Sequence, residues 1–427
     1  MPSTRIARLP LVVLATLTLL NVLNFVDRFL IQGFAVDVMA DLHLSNLQFT
    51  LLTGFAFTLF YTLTGLFMGS LADRVDRPRL IAAGLGAWTI LTAATGFVTG
   101  FAQLAALRTF TGIGEATLTP AAVSLLADTQ PPRRRALATG VYYLGAPLGI
   151  GGAFLLASVL GSTIGWRHAF MALGLVGLVL AVAASRLHEP RAAIPADADV
   201  ASPPNGLRDA LQALRASPSL RLLMGAGVLV IFGQGAFVLD QAWLVQERGF
   251  AKAHAQALAG SMFMAGGVLG ALLGGWVADL LEARCPGGRL RFLGWATLVG
   301  VPVAFVHRFA DPSGGVFLPA MFVGSTMATL GYGPLFASLQ ELAPPRLRAT
   351  LTATMILGMT LLGTSGGNLL VGALADHFRA VGSTQPITLA AAWTMLPWLL
   401  AVPCLFAAAR LSARETTSTP AFMAVAS

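Results

Sequence analysis

The sequence predicts an all-α membrane protein, with twelve transmembrane helices in two pseudo-symmetric six-helix bundles. Three observations predict it. The 427 residues are 56% hydrophobic and only 11% charged, far more apolar than a soluble domain. Twelve stretches between Leu11 and Ala409 each carry the roughly 20 apolar residues that a spanning helix needs. A segment that closes the fourth stretch also recurs, without gaps, at the close of the tenth.

In chain order the expected spans are 11–33, 48–72, 79–100, 102–127, 136–160, 167–187, 220–244, 255–281, 290–309, 314–341, 348–374 and 386–410. The first follows a basic start, but its apolar run is too long for a signal-peptide core and no cleavage site precedes Asp27, so it reads as a retained helix. The net charge of +8 is explained by topology. Arg5, Arg8, Arg74, Arg77, Arg79, Arg133 to Arg135, Arg208, Arg215, Arg284, Arg289, Arg346, Arg348 and Arg414 all fall before the first span, in even-numbered loops or after the last span. The opposite loops hold only Arg167, Arg248, Lys252, Arg308 and Arg379. This positive-inside asymmetry puts both termini in the cytoplasm and leaves no charge to be assigned to nucleic acid, and the near-total use of Arg over Lys with compact loops points to a bacterial inner membrane. The two cysteines, Cys285 in a cytoplasmic loop and Cys404 inside the last span, imply no disulfide framework.

A Pro-, Ala-, Asp- and Arg-rich segment after span six divides the chain. The expected organisation is an N-terminal bundle over 1–190, a cytoplasmic linker over 191–219 with a short surface helix from Leu207 to Ala216, a C-terminal bundle over 220–412 and a cytoplasmic tail over 413–427. The halves repeat. "ADTQPPRRRALATGVYYLG" (127–145) aligns with "QELAPPRLRATLTATMILG" (340–358), and Gly69 and Asp73 are echoed by Gly275 and Asp279. Two similar halves that rock about a midplane site are the architecture of alternating access.

The stretch "GSLADRVDRPRL" (69–80) resembles the signature loop between helices two and three of the major facilitator superfamily. Gly69, Asp73, Arg74 and Arg77 match, and Asp76 stands where that family usually has Gly, which questions the turn geometry there. A carboxylate at a cytoplasmic helix end can cap another helix or pair with Arg, so Gly69, Asp73, Arg74, Arg77 and Asp128 form the expected cytoplasmic gate, with Asp73, Arg77 and Asp128 as its latch. Further pieces resemble the bacterial Spinster-like subgroup: "NFVDR" (24–28), "LLTGFAFTLFYTLTG" (51–65), "RTFTGIGEATLTPAAVSLLAD" (108–128), "YYLGAPLGIGG" (142–152) and "GWRHAF" (165–170). They cover most of the first half. The glycine-rich "GVYYLGAPLGIGG" (140–152) reads first as a close helix-packing element, and second as an altered exporter motif in which Gly-Pro has become Gly-Ala-Pro.

Asp27 and Arg28 stand in an otherwise apolar span. At 1.5 Å per residue Asp27 lies ~24 Å along span one, at a depth similar to that of Arg108, ~9 Å below the outer surface on span four. Glu115 is seven residues further along that span, two turns on the same face. Ionised groups at such depth face a partner or an aqueous cavity, and desolvation and a guanidinium pull a carboxylate's proton affinity in opposite directions. The residues alone allow either a protonation switch or a static ion pair locking the two spans. The Spinster-like resemblance implies that Asp27 and Glu115 handle protons, with Arg28 and Arg108 as their basic neighbours; the charge pattern adds the expectation that Arg108, with Arg28 as a second candidate, trades its carboxylate partner for an anionic group of the substrate. In the second half Gln234, Asp240 and Tyr332 are the candidates for a central cavity, and Glu341 is expected at a cytoplasmic helix end.

No His cluster has metal-ligand spacing, and no Walker-type loop exists in a chain whose only lysine is Lys252. The expectation is therefore not an enzyme but a proton-coupled secondary transporter, with no cofactor beyond the coupling proton, acting as a monomer among membrane lipids. By resemblance its substrate is amphipathic or lipid-like, of the lysolipid or sphingoid phosphate type. A symporter of small organic anions or sugar acids and a multidrug exporter are the alternatives, and a non-transporting receptor on the same fold also stays open.

Overall fold

A computed structural model describes residues 3–72, 74–131, 134–190, 206–344 and 347–418. Among the described residues the chain is helical and has no strand. The first stretch of chain folds into α1 (Ser3–Gly33), α2 (Ala35–Asp41), α3 (Asn46–Thr50), α4 (Phe57–Ala72), α5 (Arg77–Thr95), α6 (Phe101–Glu115), α7 (Leu118–Thr129), α8 (Arg135–Tyr143), α9 (Gly145–Thr163) and α10 (Gly165–Ala184). After the linker come α11 (Gly206–Ala216), α12 (Pro218–Gly233), α13 (Asp240–Gln246), α14 (Lys252–Arg284), α15 (Gly288–Phe309), α16 (Phe317–Leu330), α17 (Tyr332–Leu342), α18 (Arg348–Gly358), α19 (Gly366–Ala380) and α20 (Pro386–Ser418). The expected surface helix of the linker is α11, and the last helix runs past the expected end of its span. Short π-helical turns over Leu51–Ala56 and Met359–Ser365 widen the chain before α4 and α19.

Nine helical stretches among the described residues are long and apolar enough to cross a membrane. The other expected spans, 79–100, 102–127 and 314–341, fall on α5, on α6 with α7, and on α16 with α17. Besides a 3-10 turn over Gln234–Leu239 that interrupts the expected span 220–244, the structure breaks three spans that sequence alone treats as continuous ahead of a proline, at Ala116 and Thr117, at Leu144 and at Gly331. Each break stands three or four residues ahead of a proline, Pro120, Pro147 or Pro334. Proline cannot donate to the carbonyl four residues back and its ring crowds that carbonyl, so the helix opens there. Near the second break the carbonyl of Tyr142 accepts from Asn21 Nδ2 at 2.7 Å.

The chain divides into two compact units, Met1–Asp199 with Val238–Met264, and Val200–Phe237 with Ala265–Ser427. In the first unit, α1 and α9 approach closely through small residues. A Cβ on Gly149 would stand 2.6 Å from the Val22 carbonyl, and one on Gly145 2.6 Å from Asn21 Nδ2. The glycine-rich segment is thus a packing element. Leu17, Leu20, Leu85, Trp88, Leu118 and Tyr142 belong to one hydrophobic core in this unit. Its second chain segment is fastened by Gln256 Nε2 donating to the Gly33 carbonyl at 2.8 Å and by Lys252 Nζ on Asp37 Oδ1 at 2.5 Å.

Candidate functional site

The first unit carries a buried charged cluster. On α1, Asn24, Asp27 and Arg28 lie three and four residues apart, so their side chains share one face of the helix. Two turns apart on α6, Arg108 and Glu115 face the same interior. Asp27, Arg108 and Glu115 are each 2% exposed or less. The Arg28 guanidinium donates twice to Glu115 Oε2, from Nε at 3.1 Å and Nη2 at 2.8 Å, and reaches Asn24 Oδ1 at 3.3 Å. It also lies over the rings of Tyr61, Phe57 and Phe25, with centroids at 4.4, 4.8 and 5.2 Å. Tyr61 and Phe57 are therefore the aromatic wall of the site.

Asp27 accepts a hydrogen bond from Thr92 Oγ1 through Oδ2, and Arg108 donates from Nη2 to the Arg28 carbonyl at 3.3 Å while stacking on Phe57. Four polar atoms are left over. Asn24 Nδ2, Asp27 Oδ1, Glu115 Oε1 and Arg108 Nε are buried and make no hydrogen bond. A cluster of two acids and two bases in which each acid keeps one oxygen uncommitted has acceptor capacity for a proton, and Arg108 has donor capacity for an anion. The structure brings together all four residues that sequence singled out, but pairs Glu115 with Arg28; Arg108 forms no ion pair with either acid.

At the start of α5, Arg77 is fully buried and joins Asp128 through Nη1 at 2.6 Å, Ser124 at 3.0 Å and both oxygens of Glu189. Burial works against the Arg77 charge, but the hydrogen bonds and charges of Glu189 and Asp128 outweigh it and raise its pKa above the ordinary value. The Arg77 and Asp128 pair was expected. Glu189 was not, because it follows span six at a distance of 112 residues from Arg77, and its only local mark is the Pro beside it. Asp73 lies outside the described residues. Arg74 is exposed, and a Cβ on Gly69 would meet open space. Asp76 has φ −62° and caps α5 through Arg79 N at 2.9 Å, so this turn needs no left-handed residue where the family pattern has Gly.

The second unit repeats the arrangement. Arg289, at the start of α15, pairs with Asp279 at 2.8 Å and with Glu341, the residue that the repeat aligns with Asp128. Of the three cavity candidates, Gln234 and Tyr332 line one apolar cavity in this unit, whereas Asp240 belongs to the first unit and lies outside it. Cys285 and Cys404 are both free.

Residues 17–367 match the model of the Major Facilitator Superfamily. The chain belongs to that superfamily. It is a multi-pass membrane transporter of this superfamily and not an enzyme, and its relatives are Spinster-like. An MFS-type efflux pump of Mycolicibacterium smegmatis is 31% identical over 84% of this chain and 83% of its own length. Protein spinster homolog 1 of Homo sapiens is 26% identical over 86% of this chain and 73% of its own. A protein of Arabidopsis thaliana named "Probable sphingolipid transporter spinster homolog 1" is 23% identical over 85% and 82%. Among solved structures, an inward-facing, unoccupied bacterial homologue of the human lysosomal transporter Spinster superposes with a TM-score of 0.76 at 24% identity, over 95% of this chain and 96% of that one. That likeness establishes the major facilitator fold.

Proposed function

We propose that this chain is a proton-coupled secondary transporter that works by alternating access and moves an amphipathic, lipid-like substrate of the lysolipid or sphingoid phosphate type. The observation that carries the reading is the buried cluster: Asp27 and Glu115 each keep one oxygen without a hydrogen bond, beside an Arg108 that no carboxylate pairs. Asp27 and Glu115 carry the proton, and Arg28 and Arg108 exchange a carboxylate for the anionic group of the substrate. Arg77, Asp128 and Glu189, together with Gly69, Asp73 and Arg74 of the loop sequence 69–80, act as the cytoplasmic gate. The protein works as a monomer of two bundles, 1–190 and 220–412, with both termini in the cytoplasm of a bacterial inner membrane and no cofactor other than the proton. The Spinster-like relatives support the substrate class. The efflux pump at 31% identity supports a second reading, drug export driven by the same cluster.

The test is lumen pH in proteoliposomes while lysolipids, sugar acids and cationic drugs are added in turn, with Asp27→Asn and Glu115→Gln run alongside. Proton movement that follows lysolipid and vanishes in both variants is the expected result. Movement that follows only the cationic drugs favours export. If either variant still couples normally, that residue is not the proton carrier.

A further inference from the structure

We propose that the second unit holds a chain-length-selecting pocket for a single alkyl chain, an assignment that rests on the amphiphile reading above. Two cavities adjoin there, sharing Ile231, Tyr332 and Met359 as common walls. One continues past Tyr332 and Phe336 to Thr360 and Thr364. The other runs between α12, α15, α17 and α20 and is walled by Leu293, Ala296, Met327 and Leu405 with Trp398.

Four features make this a built site. Trp398 is 5% exposed and lines the slot as its bulkiest wall residue. Met327 and Met359 border the slot, and thioether side chains adapt to a flexible chain better than branched ones do. The shared wall falls on the π-helical turn Met359–Ser365, a distortion that helices keep chiefly at functional positions. Tyr332 is 43% exposed where the two cavities meet, while Met359 and Ile231 beside it are buried.

The chemistry matches one occupant. Apart from Gln234, Thr297 and Tyr332 the side chains lining the slot are apolar and none is charged, so it takes methylenes and not a charged group. The adjoining cavity offers Tyr332 Oη and the acceptor lone pairs of Thr360 and Thr364, whose hydroxyls already donate to their own helix, so it suits the neutral linkage of an amphiphile. Each methylene that enters the slot strengthens binding about threefold to fourfold, until the chain reaches the end wall.

The experiment is binding of lysophosphatidylcholines of increasing chain length to the purified full chain in nanodiscs, with Ala296→Leu and Trp398→Ala alongside. In the unmodified protein the affinity should rise with chain length and then level off. Ala296→Leu should move that optimum to chains shorter by about two or three carbons, and Trp398→Ala to longer ones, because a close-packed wall trades volume atom for atom. A length optimum that neither variant moves, with both variants melting as the parent does, overturns the pocket and leaves the amphiphile reading standing. If no chain length binds the unmodified protein, both fall. Should Trp398→Ala fail to fold, Ala296→Leu alone decides, since its shift to shorter chains is the direction that a general loss of structure would not give.

Discussion

Glu115 puts one carboxylate oxygen on Arg28 and leaves the other unbonded, so the pair balances charge without using all of its hydrogen-bonding capacity. Removing one partner of such a pair strands the other charge in a desolvated site. Glu115→Ala should therefore lower stability by about 3 kcal/mol, whereas the double substitution Arg28→Met, Glu115→Leu should recover most of it. Thermal unfolding in detergent measures the difference, and transport should be lost in both. At the start of α5 the Arg77 fork serves Glu189, Asp128 and Ser124 at once, which a lysine ammonium cannot do from one point. Arg77→Lys should cost about 2 kcal/mol even though the charge is kept. Unchanged unfolding in Arg77→Lys would mean that charge alone, and not the fork, holds this corner.

Among the helices, the contact of α9 with α1 depends on what is missing from the side chains. A methyl group at Gly149 would meet the Phe25 Cβ at 2.5 Å and the Val22 carbonyl at 2.6 Å, and neither can step aside without moving α1. Gly149→Ala should destabilise by about 1 to 3 kcal/mol. Gly140→Ala, whose new Cβ meets open space on the neighbouring α8, should be neutral or slightly stabilising. The same melting assay separates the two, and equal effects would show that the close approach of α1 and α9 does not limit stability. The breaks at 116, 144 and 331 share one cause, a proline three or four residues on, and they turn three expected rods into jointed pairs.

For the whole molecule the charge asymmetry makes a prediction about sidedness. Cys285 lies in a loop expected inside and Lys252, the only lysine, in one expected outside. In a Cys404→Ala background, a membrane-impermeant maleimide should label Cys285 only in inside-out vesicles. An impermeant amine reagent should modify Lys252, whose side chain is 51% exposed, only in right-side-out ones. Labelling of both from the same face would overturn the twelve-span topology. Much of this architecture was legible in the chain, because lipid forces long apolar helices and the loops must carry the arginines. The residues of the charged cluster were legible for the same reason: a charge inside an apolar span stands out against its neighbours. Which charge meets which was not. Depth along a helix follows from residue counting, but the rotation of one helix against another is set by packing, so Arg28 and not Arg108 holds Glu115. Glu189, Tyr61 and Thr92 join their sites from distant segments and carry no local pattern. Sequence by itself determined the class, the repeat and the buried charges, since each is a property of composition or of fixed spacing. Only the tertiary structure decided the partners, the helix joints and the cavity around Trp398, because those depend on how side chains from different helices come to share one space.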